Sequence, residues 1–569
     1  IIYHLSSIIY HLSSIIYHLS SVLLLYYKKY SASLQTIMAS SSCCGCKQSS
    51  SNCKDPPLHD SSYQGEESKW STTTSRTAAV TKAGWYRHPT TSDISQDIFE
   101  EYNETTGVLD IDDTFKDDDE DDDPWTYSGN RLRALEFPLG GFGTGQILFQ
   151  GDGSLQGWTV QNNFHSKEYT SLYQLPGSIL GIQAKWSDNN GHSEARSFVL
   201  QTPQNYDAPN VTDAQIRRLQ NLPGIRSLKA KCQYPIATID YDIPGFPVHV
   251  QLECMTPLIP GNTKDSSLPM AVFTFSLFNK SDKSIEVSLL QSTLNLVGWD
   301  GATSVNSEDT PDFWEGNVNT PFYKDGKHAG WFMTSTTTPV RPEDNDPTHQ
   351  DGSISLVAIH NPNAKAGLLV NHSNSGETSL WQDFCDGKAQ DPKTAKATDP
   401  SCKGCTYIGG VTQLVTLPPN GKETCQFVLT WYFPNRYSYA PRSNLPTILG
   451  NFYQNWFANS GDVVDYFVEK GCSLLCSTRA YVKTMYSTTI PFELLESAAG
   501  RLSVMRSPSM FWTKDGIVLG NEGNECCPLN CTHVYGYSMM MERLYPELAK
   551  NMLISNFVRN FDPDQGCSM

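Results

Sequence analysis

Val248-His-Val-Gln-Leu-Glu253 alternates apolar and polar residues without a break. Side chains along an extended chain point alternately to its two faces, so Val248, Val250 and Leu252 share one face and His249, Gln251 and Glu253 the other. The pattern predicts a half-buried antiparallel strand. Residues 271–279, 285–290, 353–358 and 426–433 carry similar runs, separated by Gly, Pro, Asn and Asp clusters. Many short strands and few amphipathic helices between residues 125 and 445 predict a large antiparallel β-sandwich.

After about Ile448 the apolar period becomes helical. Asp462 is read as the cap of a helix in which Val463, Val464, Phe467 and Val468 share a face, continuing through Leu474, Leu475, Val482 and Tyr486. Pro491 opens a second helix at its first position, with Leu494, Leu495, Ala498, Ala499 and Leu502 facing inward. A third follows His533, carrying Val534, Tyr537, Met541 and Leu544 before Pro546 interrupts it. The fold class is therefore multidomain β + α.

At 569 residues and 39% hydrophobic, the chain can bury more than one core. Its net charge of −18 is concentrated: fifteen acids against Lys116 alone, between Asp93 and Asp123, contribute −14 of it. Such a block repels itself and reads as a solvated linker, and no basic stripe remains to neutralise phosphates. No nucleic-acid partner is expected.

Ile-Ile-Tyr-His-Leu-Ser-Ser occurs three times from Ile1, and the first methionine is Met38. Three units without charged flanks fall short of a coiled coil, and no basic n-region precedes the apolar run. Residues 1–37 are read as possible upstream translation rather than designed protein. From Met38 there is no apolar leader, which predicts cytoplasmic residence and makes the five Asn-x-Ser/Thr sites chance occurrences. Cys43, Cys44, Cys46 and Cys53 lie in a Ser-rich tail that favours disordered, reduced thiols, with S-acylation the alternative. Cys402-Lys-Gly-Cys405 has no second pair at zinc spacing.

Leu139-Gly-Gly-Phe-Gly-Thr-Gly-Gln146 invites a nucleotide-binding reading, which fails because Gln146 stands where the third glycine belongs and no helical pattern follows. Glycines here serve a tight strand entry, and Gly151-Asp-Gly-Ser154 forms the next hairpin turn.

The chemistry candidates crowd between Arg506 and His533: Trp512, Asp515, Glu522, Glu525, Cys526, Cys527, Cys531 and His533. They support a sugar subsite, in which Trp512 stacks on a pyranose and Asp515, Glu522 and His533 bond its hydroxyls. They also allow a loop packed on helices with its acids solvated, which the residues alone favour slightly, and, well behind it, a Cys/His metal site or a Cys/His nucleophile pair, for which no orienting group is identifiable. From the residues alone these readings stay open.

Phe137-Pro-Leu-Gly-Gly-Phe-Gly-Thr-Gly145, Arg506-Ser-Pro-Ser-Met-Phe-Trp-Thr-Lys-Asp-Gly516, the Glu522–Tyr537 stretch and Arg543-Leu-Tyr-Pro-Glu-Leu548 resemble the non-lysosomal glucosylceramidases, also called bile-acid β-glucosidases, of glycoside hydrolase family 116. The resemblance covers residues 131–569, ending at Met569. It implies a retaining β-glucosidase that cleaves glucosylceramide and related β-glucosides, with no cofactor and no metal, and with a peripheral surface on the endoplasmic reticulum or plasma membrane as a further partner. It places the nucleophile on Glu522, with Trp512, Asp515 and His533 as substrate contacts. The acid/base Asp of the family lies in a Thr-Tyr-Asp segment that this sequence lacks. That Asp is expected beyond Met569, so the chain is expected to be an inactive N-terminal fragment. His533 and Tyr535-Gly536 stand where other members carry Asp and Trp-Asn.

The expected organisation is a repeat over 1–37, a disordered Ser/Cys-rich and acidic segment over 38–128, a β-sandwich over 129–447, and the first helices of an incomplete (α/α)6 barrel over 448–569. An incomplete ring would leave Met539 to Met541, Leu544, Met552, Ile554 and Phe557 uncovered. The alternative to an enzyme is a noncatalytic carbohydrate-binding or interaction sandwich with a supporting helical tail.

Overall fold

In the computed structural model the period-two segments are strands. Residues 123–162, 175, 177–187, 192–202, 222–299, 314–338, 348–373, 376–437, 448–520, 538–559, 561–562 and 567–568 are described. In chain order the strands are β1 (Thr126–Tyr127), β2 (Glu136–Leu139), β3 (Ile147–Gln150), β4 (Leu155–Gln156), β5 (Leu180–Ser187) and β6 (Ser193–Val199). Next come β7 (Ser227–Gln233), β8 (Ile236–Asp242), β9 (Val248–Met255), β10 (Met270–Asn279) and β11 (Ile285–Leu294). The sandwich closes with β12 (Asn317–Lys324), β13 (His328–Ser335), β14 (Ser353–Ile359), β15 (Ala364–His372), β16 (Tyr407–Leu417) and β17 (Lys422–Tyr432).

One sheet has nine strands in the order β1-β7-β8-β9-β10-β17-β14-β13-β12, and a second has five in the order β15-β16-β11-β5-β6. Their ladders are antiparallel, as in Phe273 opposite Phe427 and Cys254, or Val287 opposite Val415 and Ala184. The β-sandwich expectation holds. Pairing begins at Thr126, three residues before the expected boundary at 129, because Trp125 is anchored edge-on against Tyr486 and Phe492 at 4.6 Å from each ring. The acidic block and the repeat before Asp123 lie outside the described residues, as does Met569 at the other end. The described residues belong to one compact unit.

Five α-helices are described: α1 (Gly376–Cys385), α2 (Ser460–Tyr486), α3 (Phe492–Met505), α4 (Ser538–Leu544) and α5 (Pro546–Ile554). The sequence pattern did not reveal α1, which buries Leu380, Trp381 and Phe384. Gly181 of the five-stranded sheet leaves room for it, since a Cβ there would lie 2.7 Å from the Trp381 ring.

α2 starts before Asp462. Asn459 is the cap, accepting from the Asp462 N–H at 3.1 Å, while the Asp462 carboxylate accepts from the Ala458 N–H at 2.8 Å. The two side chains satisfy donors reciprocally, so the acid belongs to the first turn. Pro491 likewise sits one residue before α3, and Leu494 is exposed where an inward position was expected; the buried face is Leu495, Ala499, Leu502 and Met505. Val534 and Tyr537 fall outside the described residues.

The helices lie on the sandwich. Val463, Val464, Phe467, Leu474, Leu475 and Val482 of α2 share a core with Met255, Met270, Val272, Val357 and Val428 on the outer face of the nine-stranded sheet. Alternate residues of β10, Ala271, Phe273, Phe275 and Leu277, enter the core between the sheets. β10 is therefore buried on both faces over its first half, where half-burial was expected, and its continuous apolar run Met270–Phe273 is the signature. Leu502, Met541, Leu548 and Met552 join the inter-sheet core. Met541 and Met552, expected to be uncovered, are thus buried, whereas Leu553, Phe557 and Val558 remain exposed. A ring of paired helices is not found among the described elements.

Buried sequence features elsewhere act structurally. Asn279 is fully buried and donates to the Lys283, Leu417 and Pro418 carbonyls, so this glycosylation sequon is inaccessible in the folded chain. No described helix is long and apolar enough to cross a membrane.

The packing of α2 is open to direct measurement. Phe467→Ala removes a buried ring shared by α2 and the sheet, and should cost about 3 to 5 kcal/mol in urea unfolding. Helix and sheet signals should be lost together, because one core serves both. A second expectation concerns His328, which is only 2% exposed, packs against Phe322, and has no hydrogen-bond partner for either ring nitrogen among the described residues. Desolvation, opposed by Asp465 and reinforced by Lys324 and Lys327, pushes its pKa down to about 4. The folded imidazole stays neutral while the unfolded one protonates below about 6.5, so stability should fall as pH drops from about 6.5 towards 4. Unfolding free energies at pH 7 and pH 5 should differ through this group by on the order of 1 to 2 kcal/mol, and His328→Leu should remove that share.

Candidate functional site

The short strands β18 (Met510–Trp512) and β19 (Val518–Gly520) pair as a hairpin, with Met510 opposite Gly520 and Trp512 opposite Val518. Both are fully buried, although neither shows a strand pattern long enough to read from sequence. The turn between them is closed by Thr513 N–H to Ile517 O at 2.9 Å, and Asp515 is exposed at its tip. The hairpin ends two residues before Glu522. Glu522, Glu525, Cys526, Cys527, Cys531 and His533 lie outside the described residues. Met569 lies outside them as well.

Trp512 is at the centre of an aromatic cluster and only 3% exposed. Phe452 stacks on one face of its ring at 3.8 Å with the planes 5° apart, and Trp456 and Phe142 meet it edge-on at 5.5 and 6.2 Å. Its Nε1–H has no hydrogen-bond partner among the described residues. The hairpin thus separates two of the sequence candidates: Trp512 faces inward and Asp515 faces solvent.

The glycine-rich loop of the sandwich packs directly on this hairpin. A Cβ on Gly143 would lie 2.9 Å from Trp512 Cβ and 3.0 Å from Trp512 N, and one on Gly141 would lie 2.5 Å from Leu268 O. Gly143 also has φ +68°, a conformation glycine adopts without penalty. Thr144 holds the loop shut, its hydroxyl accepting from Gly141 N–H at 2.8 Å. Its carbonyl accepts from the Trp431 indole at 2.7 Å. The motif that failed as a nucleotide loop is a backbone-to-backbone packing surface.

Arg506, at the end of α3, is buried and donates to the carbonyls of Thr256 and Pro257 at 3.3 and 2.9 Å. These residues begin the segment containing Ser266, whose carbonyl accepts from Phe142 N–H at 3.1 Å and whose hydroxyl accepts from Tyr545 at 3.0 Å. Burial pushes the Tyr545 hydroxyl up to about 12, so it remains a neutral donor. Lys264 lies 4.7 Å from the Tyr466 ring centre and 5.6 Å from those of Trp456 and Phe457. Sequence reasoning missed Phe142, Phe452 and Trp456; the i, i+4 spacing of the last two was the available signal, and Phe142 had only its flanking glycines.

Among the described residues, no three His, Cys, Asp or Glu side chains gather as metal ligands. The described part of the site is a rigid apolar support with a solvent-facing turn, and it delivers the chain to the carboxylate-bearing segment that begins at Asn521.

Residues 136–473 match the family described as "beta-glucosidase 2, glycosyl-hydrolase family 116 N-term". The chain belongs to glycosyl-hydrolase family 116. Among solved structures it is similar to "Putative kojibiose phosphorylase from human microbiome", with TM-score 0.28, 8% identity, and coverage of 68% of this chain and 42% of that one. It is also similar to a "putative aldose 1-epimerase from Klebsiella pneumoniae subsp. pneumoniae MGH 78578", with TM-score 0.19, 10% identity, and coverage of 58% of this chain and 79% of that one. The chain thus spans less than half the length of the phosphorylase.

The glycine contact is directly testable. Gly143→Ala should destabilise the protein by about 1 to 3 kcal/mol more than Gly326→Ala, measured by urea unfolding. Both positions have positive φ, +68° and +65°, but a Cβ on Gly326 meets nothing within 4 Å. Equal costs would show that the hairpin yields freely to the loop.

Proposed function

We propose that this chain is the N-terminal part of a retaining β-glucosidase acting on glucosylceramide and related β-glucosides, with Glu522 as nucleophile. The observation that carries this reading is membership of a glycoside hydrolase family over residues 136–473. The motif around Glu522 supports the residue assignment, and the hairpin that leads into it supplies the rigidity a nucleophile needs. Retention requires two carboxyls about 5 Å apart: one attacks the anomeric carbon, and the other protonates the leaving oxygen and then activates water. The second role falls to the Asp of a Thr-Tyr-Asp segment, which this sequence does not contain up to Met569. In this reading α2 to α5 are the first helices of an (α/α)6 barrel, His533 and Asp515 shape the glucose subsite while Trp512, buried under Phe452, supports it from the core instead of stacking on the sugar, and a ceramide aglycone calls for peripheral contact with a bilayer surface.

The 569-residue chain by itself should release no glucose from an aryl β-glucoside above background, since this reading assigns the acid/base role to neither Asp515 nor Glu525, which is only three positions from Glu522 in sequence. In a polypeptide that also carries the Thr-Tyr-Asp segment, Glu522→Gln should lower kcat by on the order of a thousandfold or more. Hydrolysis by the 569-residue chain would place the second carboxylate within it. Unchanged kcat in the Gln variant would remove Glu522 from the nucleophile role.

A further inference from the structure

Cys402-Lys-Gly-Cys405 has no part in the site described above. Its backbone forms a tight turn, with Cys405 N–H donating to Cys402 O at 3.0 Å and Gly404 at φ +78°. The turn places the two Sγ atoms 2.7 Å apart. That is closer than two non-bonded sulfur atoms ordinarily approach, and only about 0.6 Å beyond the S–S bond length. Neighbours on both sides pin the turn. Ser401 donates its hydroxyl to Trp314 O at 2.5 Å and accepts from Asn317 N–H at 2.8 Å, while Thr406 donates to Asn295 O at 2.9 Å. The sulfurs are thus brought together by a loop fixed to the sandwich core. Cys402 is exposed and Cys405 is buried.

We propose that Cys402 and Cys405 are a thiol–disulfide exchange site that takes small-molecule disulfides of the glutathione class. The exposed Cys402 thiolate attacks one sulfur of the disulfide, forming a mixed disulfide and releasing one thiolate, which takes a proton. Cys405, already poised beside Cys402, then attacks the Cys402 sulfur, closing the intramolecular bond and expelling the second thiolate. Two protein thiols and one small disulfide become one protein disulfide and two small thiols, so electrons and protons balance. An exposed attacking thiol beside a buried resolving thiol is the order this exchange requires.

Lys403 between the two cysteines makes the outcome legible. Trypsin separates residues 397–403 from 404–422, each with one cysteine, so the intramolecular disulfide alone joins these two peptides. The 569-residue chain equilibrated with excess oxidised glutathione, alkylated and digested without reductant, should yield the joined pair, about 2 Da lighter than the sum of the two free peptides. Reduced glutathione in excess should return both as alkylated singles. Cys405→Ser should instead accumulate glutathione on the 397–403 peptide, because the resolving thiol is gone. Separate alkylated peptides under oxidising conditions, or no glutathione on Cys402 in the Ser variant, would overturn the proposal. So would joining of either peptide to a different cysteine.

Discussion

Over much of their length the central strands β10 and β17 of the nine-stranded sheet are buried on both faces. Phe273, Phe275 and Leu277 of β10 point into the core between the sheets, while Met270 and Val272 point outward beneath α2. β17 repeats the arrangement, with Phe427 and Leu429 on one side and Val428 on the other. An antiparallel sheet normally tolerates one wet face, but these outward residues would form an exposed apolar patch without a cover. The 27-residue α2 is that cover, and Phe467, Leu474 and Leu475 are its contact residues. The sheet therefore dictates where the helical segment lies, and a boundary at residue 448 divides the chain by pattern without dividing its core.

The site inherits this geometry. With α2 fixed to the sheet, α3 ends where Arg506 can hold the Thr256 and Pro257 carbonyls, and the chain enters the hairpin from a defined point. The two terminal nitrogens of the buried guanidinium are used on these carbonyls, while its Nε–H has no partner among the described residues, and the pair of bonds ties the end of α3 to the loop that follows β9. The glycine-rich loop then closes on the hairpin from the other side. Because Gly141 and Gly143 carry no side chain, the loop comes close to the Ser267–Leu268 backbone at one glycine and to Trp512 at the other, and Phe142 is left to reach the Trp512 ring.

Much of the sandwich was legible because its signal is local. The alternation at Val248 survives in the burial of β9, and the turn at Gly151–Ser154 survives between β3 and β4. What failed depends on partners far away in sequence. Leu494 fits an inward helical position as well as Leu495 does, and only the neighbouring surface decides that Leu495 is covered. Helix α1 was lost because its buried face is three residues, Leu380, Trp381 and Phe384, in a polar stretch. At the site, the motif located Trp512 but its residue type did not reveal its packing. A tryptophan reads equally as a sugar platform or a core residue, and the stacking on Phe452, sixty positions earlier, is not encoded locally.

The continuity of the cores also bears on whether the sandwich is a separable binding module. A module with a supporting tail would keep its own core closed and meet the tail across a polar or loosely packed boundary. Here Leu502, Met505, Met510, Trp512 and Val518 belong to the same core as the strands, so removing the helical segment would open the sandwich itself. The dependence runs the other way as well, since α2 buries its apolar face on no other described element as extensively as on β13, β14 and β17. Sandwich and hairpin consequently form one rigid support, and the segment beginning at Asn521 leaves it from the end of a buried strand. Whatever chemistry that segment performs, its starting position is determined by residues of the sandwich more than 350 positions earlier, at Gly141 to Thr144.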